Sequence, residues 1–208
     1  GVPSVIMVAI GSVMNYFLNL ILYSFSKLAV AVFGAYFKVQ SMAFMPVFGL
    51  NNGMIPIISY NYGAQKPDRM KRTMKLGVMV GCSIMVFCLA IMQVFPGQIL
   101  KIFDATDEML LMGIPAVRIM STAFIFAGFS VTCSGMFQAV GKGVYSMIVS
   151  MARQLFVILP VAYFLSKAMN SVNGVWSAFP IAEVFSVIIS TIFLLRVYKK
   201  IVKPMESV

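Results

Sequence analysis

Six stretches of the chain are almost wholly apolar, and charged and turn-forming residues collect in the short runs between them. They lie at about 4–25, 29–58, 76–95, 110–137, 145–166 and 173–196. Each holds roughly the 20 residues that an α-helix needs to cross the ~30 Å of hydrocarbon in a bilayer. Since backbone polar groups in lipid must be satisfied within the segment, such stretches predict helices. The pattern therefore predicts an all-α integral membrane protein, a single six-helix unit over residues 1–208. The second and fourth stretches exceed the length needed and are expected to tilt, bend or protrude. Pro46, Pro56 and Pro115 are the expected kink sites. Glycines within the stretches, at Gly11, Gly34, Gly49, Gly77, Gly81 and Gly128, are expected to let helices approach closely.

Composition strengthens this picture. The chain is 61% apolar, with a mean hydropathy of +0.95, more hydrocarbon than a soluble domain of this length can bury. A formal net charge of +10 would ordinarily point to nucleic acid. Only 11% of residues are charged, however, and the cations sit in the connections. They read as a juxtamembrane surface facing membrane lipid, and no nucleic-acid partner is expected. There is no histidine, and Cys82, Cys88 and Cys133 fall in apolar stretches without ligand spacing. Metal and Cys–His chemistry are thus not expected, and the thiols read as inert packing groups. The chain opens on Gly1 and runs directly into an apolar stretch, with no signal peptide. A preceding segment is expected.

Charge sets the orientation. Eleven of the 16 cations lie on one set of connections: Lys66 to Lys75, Lys142, Arg153 and Arg196 to Lys203. Three, Lys27, Lys101 and Lys167, lie on the other, with Asp104, Asp107 and Glu108 beside them. The positive-inside rule then puts the basic loops and both termini in the cytoplasm of a cell-membrane protein. Arg153 enters a span by about seven residues, near enough to its basic end to snorkel.

The last two cations, Lys38 and Arg118, and the acid Glu183 fall well inside spans. Ionisable residues in a membrane are costly and mark an interior face or a wet cavity. Counted along their helices, all three lie ~12–15 Å below the outer surface, so the expectation is that they share one layer. Glu183, Ser186 and Ser190 form a polar stripe at helical spacing, as do Ser12, Asn15 and Asn19. Asn15, Asn19, Lys38, Gln40, Arg118, Glu183 and Ser186 are the candidates for ion or substrate contact. Two readings of Glu183 stay open: a fixed ion pair with Arg118 or Lys38 that locks packing, or a binding group. Met14, Phe17, Phe44 and Met45 flank the stripes and suit greasy ligands of varied shape.

The stretch from Met45 to Arg72, MPVFGLNNGMIPIISYNYGAQKPDRMKR, closely resembles the eighth helix and following cytoplasmic loop of multidrug and toxic compound extrusion (MATE) transporters. FQAVGK at 137–142, ARQLFVILPVAYFL at 152–165 and GVWSAFPIAEVFS at 174–186 agree in order. The resemblance implies that these six helices form the C-terminal lobe of a twelve-helix transporter of the MOP superfamily. Its partner would be an N-terminal lobe, or a second copy of this chain. It also implies alternating access, Na⁺ or H⁺ as coupling ion, no other cofactor, and drug-like substrates. Glu183 stands where this branch often carries an acid, after Pro180-Ile181-Ala182. The sodium-coupled branch carries a Glu in its seventh helix and an Asp in its tenth, where this chain has Asn15 and Asn19, and Arg118. Gly49, Gly53 and Pro56 match the helix-eight pattern and imply a bend. Tyr60-Asn61-Tyr62-Gly63 makes the exit turn, with Gly63 suited to positive φ.

Multidrug efflux, the export of cationic or amphiphilic compounds in exchange for Na⁺ or H⁺, is therefore the expected function. Two alternatives remain: a flippase for lipid-linked precursors, which would want a cationic cavity, and a half-size homodimeric transporter. With no histidine and one mid-span acid, the paired groups of acid–base catalysis are missing, and an enzyme is not expected.

Overall fold

A computed structural model of the chain describes residues 2–206. Among them the helices are α1 (Val2–Tyr23), α2 (Lys27–Gly63), α3 (Pro67–Val94), a short α4 (Pro96–Ile102), α5 (Asp107–Ser121) and α6 (Phe124–Ala139). Next come α7 (Gly143–Met151), a π-helical segment (Ala152–Ile158), α8 (Leu159–Met169), α9 (Asn173–Val197), a second π segment (Tyr198–Val202) and α10 (Lys203–Met205). Five rods are long and apolar enough to cross a membrane, and α5 with α6 makes a sixth as one bent span. The six predicted stretches are thus all helical. At 37 residues α2 is roughly 55 Å long, well beyond the hydrocarbon thickness.

Local sequence explains most of the boundaries. Ser26 caps α2, its Oγ accepting from the Ala29 amide at 3.0 Å. Thr106 does the same for α5, where Asp107 and Glu108 in the first turn complement the helix dipole. The basic block at 66–75, expected as a connection, instead forms the opening turns of α3. Pro67 pre-sets the first helical φ and Asp68 follows it. The exit from α2 also differs in detail. Gly63 is its last helical residue, and positive φ falls on Gln65 (53°). There Lys66 N–H donates to the Asn61 carbonyl and Gln65 N–H to that of Tyr62, the paired bonds of a Schellman end.

The fourth span bends by 51°, but after Ser121, six residues beyond Pro115. The turn tightens where Thr122 N–H donates to Ile119 and Ala123 N–H to Met120. The hydroxyls of Ser121 and Thr122 reach back to the carbonyls of Arg118 and Ile119, an alternative to the helix ladder that these residue types offer. Gln93 of α3 holds the bend from outside, its amide donating to Arg118 O (2.8 Å) and Ser121 Oγ (2.9 Å). By contrast, α2 continues as one helix through Gly49, Gly53, Pro46 and Pro56.

Packing uses glycine at one seam in particular. Helix α3 runs along α6 and α2, and a Cβ added at Gly128 of α6 would lie 2.9 Å from Cys82 Cα and 3.0 Å from the Gly81 carbonyl. The expectation of close approach thus holds at Gly77, Gly81 and Gly128. At Gly34 and Gly49 it does not, as nothing lies within 4 Å of an added Cβ. Cys133 is buried, Cys82 and Cys88 half-buried, and all three are free. At one end of the bundle Ser59 bonds to the Ala139 carbonyl and Lys71 Nζ pairs with Glu206 Oε1 at 2.7 Å. This gathers the basic opening of α3 and the Lys-rich C-terminal turns on the same end.

Candidate functional site: a chamber within the lobe

Facing stripes of α1, α2, α6, α7 with its π extension, and α9 line a half-open chamber of about 490 Å³. On α2 the lining recurs every three or four residues, from Phe37 through Gln40, Phe44 and Phe48 to Asn51 and Ile55. On the fifth span it runs from Ser146 through Val149 and Ser150 to Arg153, Gln154 and Ile158. Ser134 and Gln138 of α6 and Phe179, Glu183 and Ser186 of α9 complete the wall. The walls are thus aromatic and aliphatic with polar groups set into them, the general make-up of a small-molecule pocket.

Arg153 and Glu183 are the charged residues of this lining. Arg153 Nη1 meets Glu183 Oε1 at 2.9 Å, while Glu183 Oε2 is buried without a hydrogen-bond partner. Glu183 is 8% exposed, and Ser186 and Ser190, further along its stripe, are fully buried. The stripe on α9 therefore faces inward as its spacing predicts. Tyr36 is fully buried against Phe179, ring centroids 6.3 Å apart, within electrostatic reach of Glu183.

Two expectations change here. Glu183 pairs with neither Lys38 nor Arg118. Both are exposed on the outside of the bundle and take no part in the chamber lining. Lys38 follows Phe37 by one residue, about 100° round the helix, which turns it away from the chamber. Arg153, in turn, does not snorkel toward the basic end but points inward. Its side chain lies in the π segment, 30 residues from Glu183 in sequence. A proline explains why the ladder loosens there: Pro160 has no N–H to give the Phe156 carbonyl. A π segment widens the turn, and such segments recur at functional sites. The proline in ILPVAY was the available signal.

The other candidates divide. Gln40 and Ser186 line the chamber. Asn15 and Asn19 are half-buried and outside that lining; Met7 and Met14 stand for α1 instead. Of the flanking residues, Met14 and Phe44 line it, while Phe17 and Met45 are 48% and 65% exposed. Gly49, Gly53, Pro56 and Tyr60 lie on the exposed face of α2, whereas Asn61 is buried, its amide bonded to the Ile57 carbonyl at 2.8 Å. Tyr62 is half-buried.

Several lining residues had no sequence flag. Asn51 donates to the Val131 carbonyl at 2.9 Å and sits in a notch left by Gly135, whose Cβ would fall 2.8 Å from its Oδ1. Ser146 bonds to the Ser134 carbonyl and Gln154 to Ser150 Oγ. Extending the Gln40 stripe along α2 at helical spacing would have reached Asn51.

Known proteins share this architecture. Multidrug export protein MepA of Staphylococcus haemolyticus (strain JCSC1435) is 27% identical over 177 residues, 85% of this chain and 39% of MepA. A structure titled as the outward-facing conformation of a multidrug resistance MATE family transporter of the MOP superfamily superposes with a TM-score of 0.90 at 20% identity. It covers 100% of this chain and 46% of its own. The inward-facing structure of such a transporter gives 0.88 at 20% identity, over 100% of this chain and 47% of its own. The chain thus spans less than half the length of the proteins it matches, and its fold is that of one lobe of the solved transporters. The MatE family model matches residues 3–164, most of the chain. The chain therefore belongs to the MatE family.

Proposed function

We propose that this chain is one lobe of a secondary transporter that exports amphiphilic, drug-like compounds from the cell, with Na⁺ or H⁺ moving inward. The observation that carries this reading is the chamber: about 490 Å³, aromatic-walled, with a buried carboxylate and its guanidinium partner at the wall. A structural ion pair alone would not need such a space around it. The lobe's fold agrees comparably with outward- and inward-facing relatives, which supports a lobe that moves as a body in an alternating-access cycle. The second lobe comes from further chain or from a second copy. The basic end faces the cytoplasm of a cell-membrane protein. Work of this kind is done by binding and conformational change, with no covalent step. The flippase reading loses support, because Lys38 and Arg118 lie outside the chamber and Arg153 is neutralised by Glu183.

The test is drug susceptibility of an efflux-deficient bacterial host expressing the complete transporter, followed by dye efflux from vesicles under an imposed Na⁺ or proton gradient. Glu183→Gln is expected to abolish resistance while membrane levels hold. Full resistance in that variant would remove Glu183 from the mechanism.

A further inference from the structure

We propose that a groove on the outside of the bundle, between α3 and α9, binds one anionic phospholipid, with an acyl chain in the groove and the phosphate on Arg72 and Lys75. The groove holds about 250 Å³ and is lined by Met74, Lys75, Val78 and Met79 of α3, Met136 of α6 and Leu194 of α9. Helix α3 packs on α6 and α2, and α9 on α8 and α6, so Met136 forms the floor between the two rods. The lining is apolar throughout: Lys75 lays its aliphatic stem along the wall and leaves its ammonium outside it. On α6, Ser134 and Gln138 face the chamber, and Met136 stands two residues, about 200°, from each. Groove and chamber therefore lie on opposite sides of this helix. A second lobe that meets the open side of the chamber leaves the groove facing lipid.

Charge selects the occupant. Asp68 and Glu206 are the acids at this end of the bundle, and both pair with Lys71, at 3.0 and 2.7 Å. Among the described residues Arg72 and Lys75 have no ion-pair partner, and both are exposed. Arg72 stands three residues before Lys75, and Val78 and Met79 three and four residues after it, all on one face of α3. Going inward from the basic end, that face reads cation, cation, apolar, apolar. A phospholipid with its phosphate at the interface runs in the same order, head to tail. A guanidinium can give a phosphate two parallel N–H bonds, and the ammonium adds a point charge beside them. A headgroup that carries its own ammonium offsets that gain. Tyr198, one turn nearer the basic end than Leu194 and 40% exposed, is an amphipathic group of the kind found at headgroup level. A polybasic surface by itself attracts any anionic leaflet diffusely. What makes a discrete site here is the apolar groove that continues from the two cations. Bound there, the lipid reaches from α3 to α9 over Met136 and fills a gap that the protein leaves.

Photocrosslinking in nanodiscs gives the test. The complete transporter is placed in phosphatidylethanolamine nanodiscs doped with phosphatidylglycerol or phosphatidylcholine, each carrying a diazirine in one acyl chain. Labelled peptides are then mapped by mass spectrometry. Phosphatidylglycerol is expected to label the peptides holding Met136 and Leu194 at least about tenfold more than phosphatidylcholine does. Arg72→Gln with Lys75→Gln should lower the phosphatidylglycerol label by about tenfold or more. Lys27→Gln with Lys101→Gln, which removes the same charge from the other end, should leave it unchanged. Val78→Trp fills the groove without touching a charge and should lower the label from both lipids, and Met79→Trp replaces it if that variant does not fold. Inorganic phosphate is expected not to compete.

Equal labelling by the two lipids, an undiminished label in the Arg72 and Lys75 variant, or an equal loss in the Lys27 and Lys101 variant would each overturn the proposal. A label that survives the filled groove would mean diffuse attraction to the leaflet, and loss to inorganic phosphate would mean a free-anion site; either result also overturns it. The proposal goes beyond the transport reading and does not rest on it. A protein that exports nothing and still labels at Met136 and Leu194 keeps the lipid site, and one that exports without labelling there loses this site alone.

Discussion

The α3–α6 seam and the chamber beneath α2 are built from the same kind of rod and end up opposite in character. At the seam, Gly81 and Gly128 bring backbones together so closely that a single Cβ at Gly128 would collide with the Cys82 backbone. Around the chamber, Phe37, Phe44, Gln40 and Gln154 keep the rods apart and line the space between them. Lipid is as apolar as leucine, so helices gain little by merely being greasy toward one another. Where they lack side chains, they close. Where long and aromatic side chains meet polar ones, they leave a room, and among the described residues the buried carboxylate, Glu183, stands there.

The largest effect is expected on the chamber side. Arg153→Ala would leave Glu183 buried and unpaired, a loss of about 3–5 kcal/mol. Thermal unfolding of the purified protein in micelles would show it, and adding Glu183→Gln should recover most of the loss. A cost below about 1 kcal/mol would mean that the chamber hydrates a lone carboxylate and that the pair is no lock. The seam comes next. Gly128→Leu should cost about 3 kcal/mol, the upper end for overpacking, because the obstacle is backbone and cannot rotate away. For a unit of this size that lowers Tm by about 6–12 °C, with the chamber's ligand affinity changed only through lost protein.

A smaller effect is expected where the bent span leans on the seam helix. Gln93→Ala removes both donors that hold the turn at Ser121, costing about 1 kcal/mol. Faster amide exchange confined to residues 119–124 would check it. The smallest belongs to a glycine outside both regions. At Gly49 nothing obstructs a methyl group, so Gly49→Ala should leave stability unchanged or raise it by up to about 1 kcal/mol, read as an unchanged or higher Tm. Transport that falls while stability rises would show that this helix needs its softness to move.

Much of the architecture was legible in the residues. Apolar runs bounded by charge located five long apolar helices and one bent pair able to span a membrane, because a segment in lipid must satisfy its own backbone and can do so as a helix. The spacing of Glu183, Ser186 and Ser190 assigned the inner face of α9, since three and seven residues return to the same side. The turn at Tyr60 to Gly63 pointed to the family. Boundaries were less secure: Pro67 drew the basic block into α3, and the bend fell at Ser121 and Thr122, whose hydroxyls compete with the ladder, rather than at Pro115.

What the sequence determined by itself was therefore everything that depends on one helix at a time: which segments cross, which face is polar, where the basic ends lie. The tertiary structure alone decided which faces meet. Lys38 and Arg118 looked able to partner Glu183 while Arg153 looked set to snorkel, and one residue of register, about 100° of rotation, separates a side chain in the chamber from one outside the bundle. Arg153 is the partner because a proline-loosened turn presents it inward 30 residues away along the chain, and no periodicity within a single rod records how that rod is turned against its neighbours.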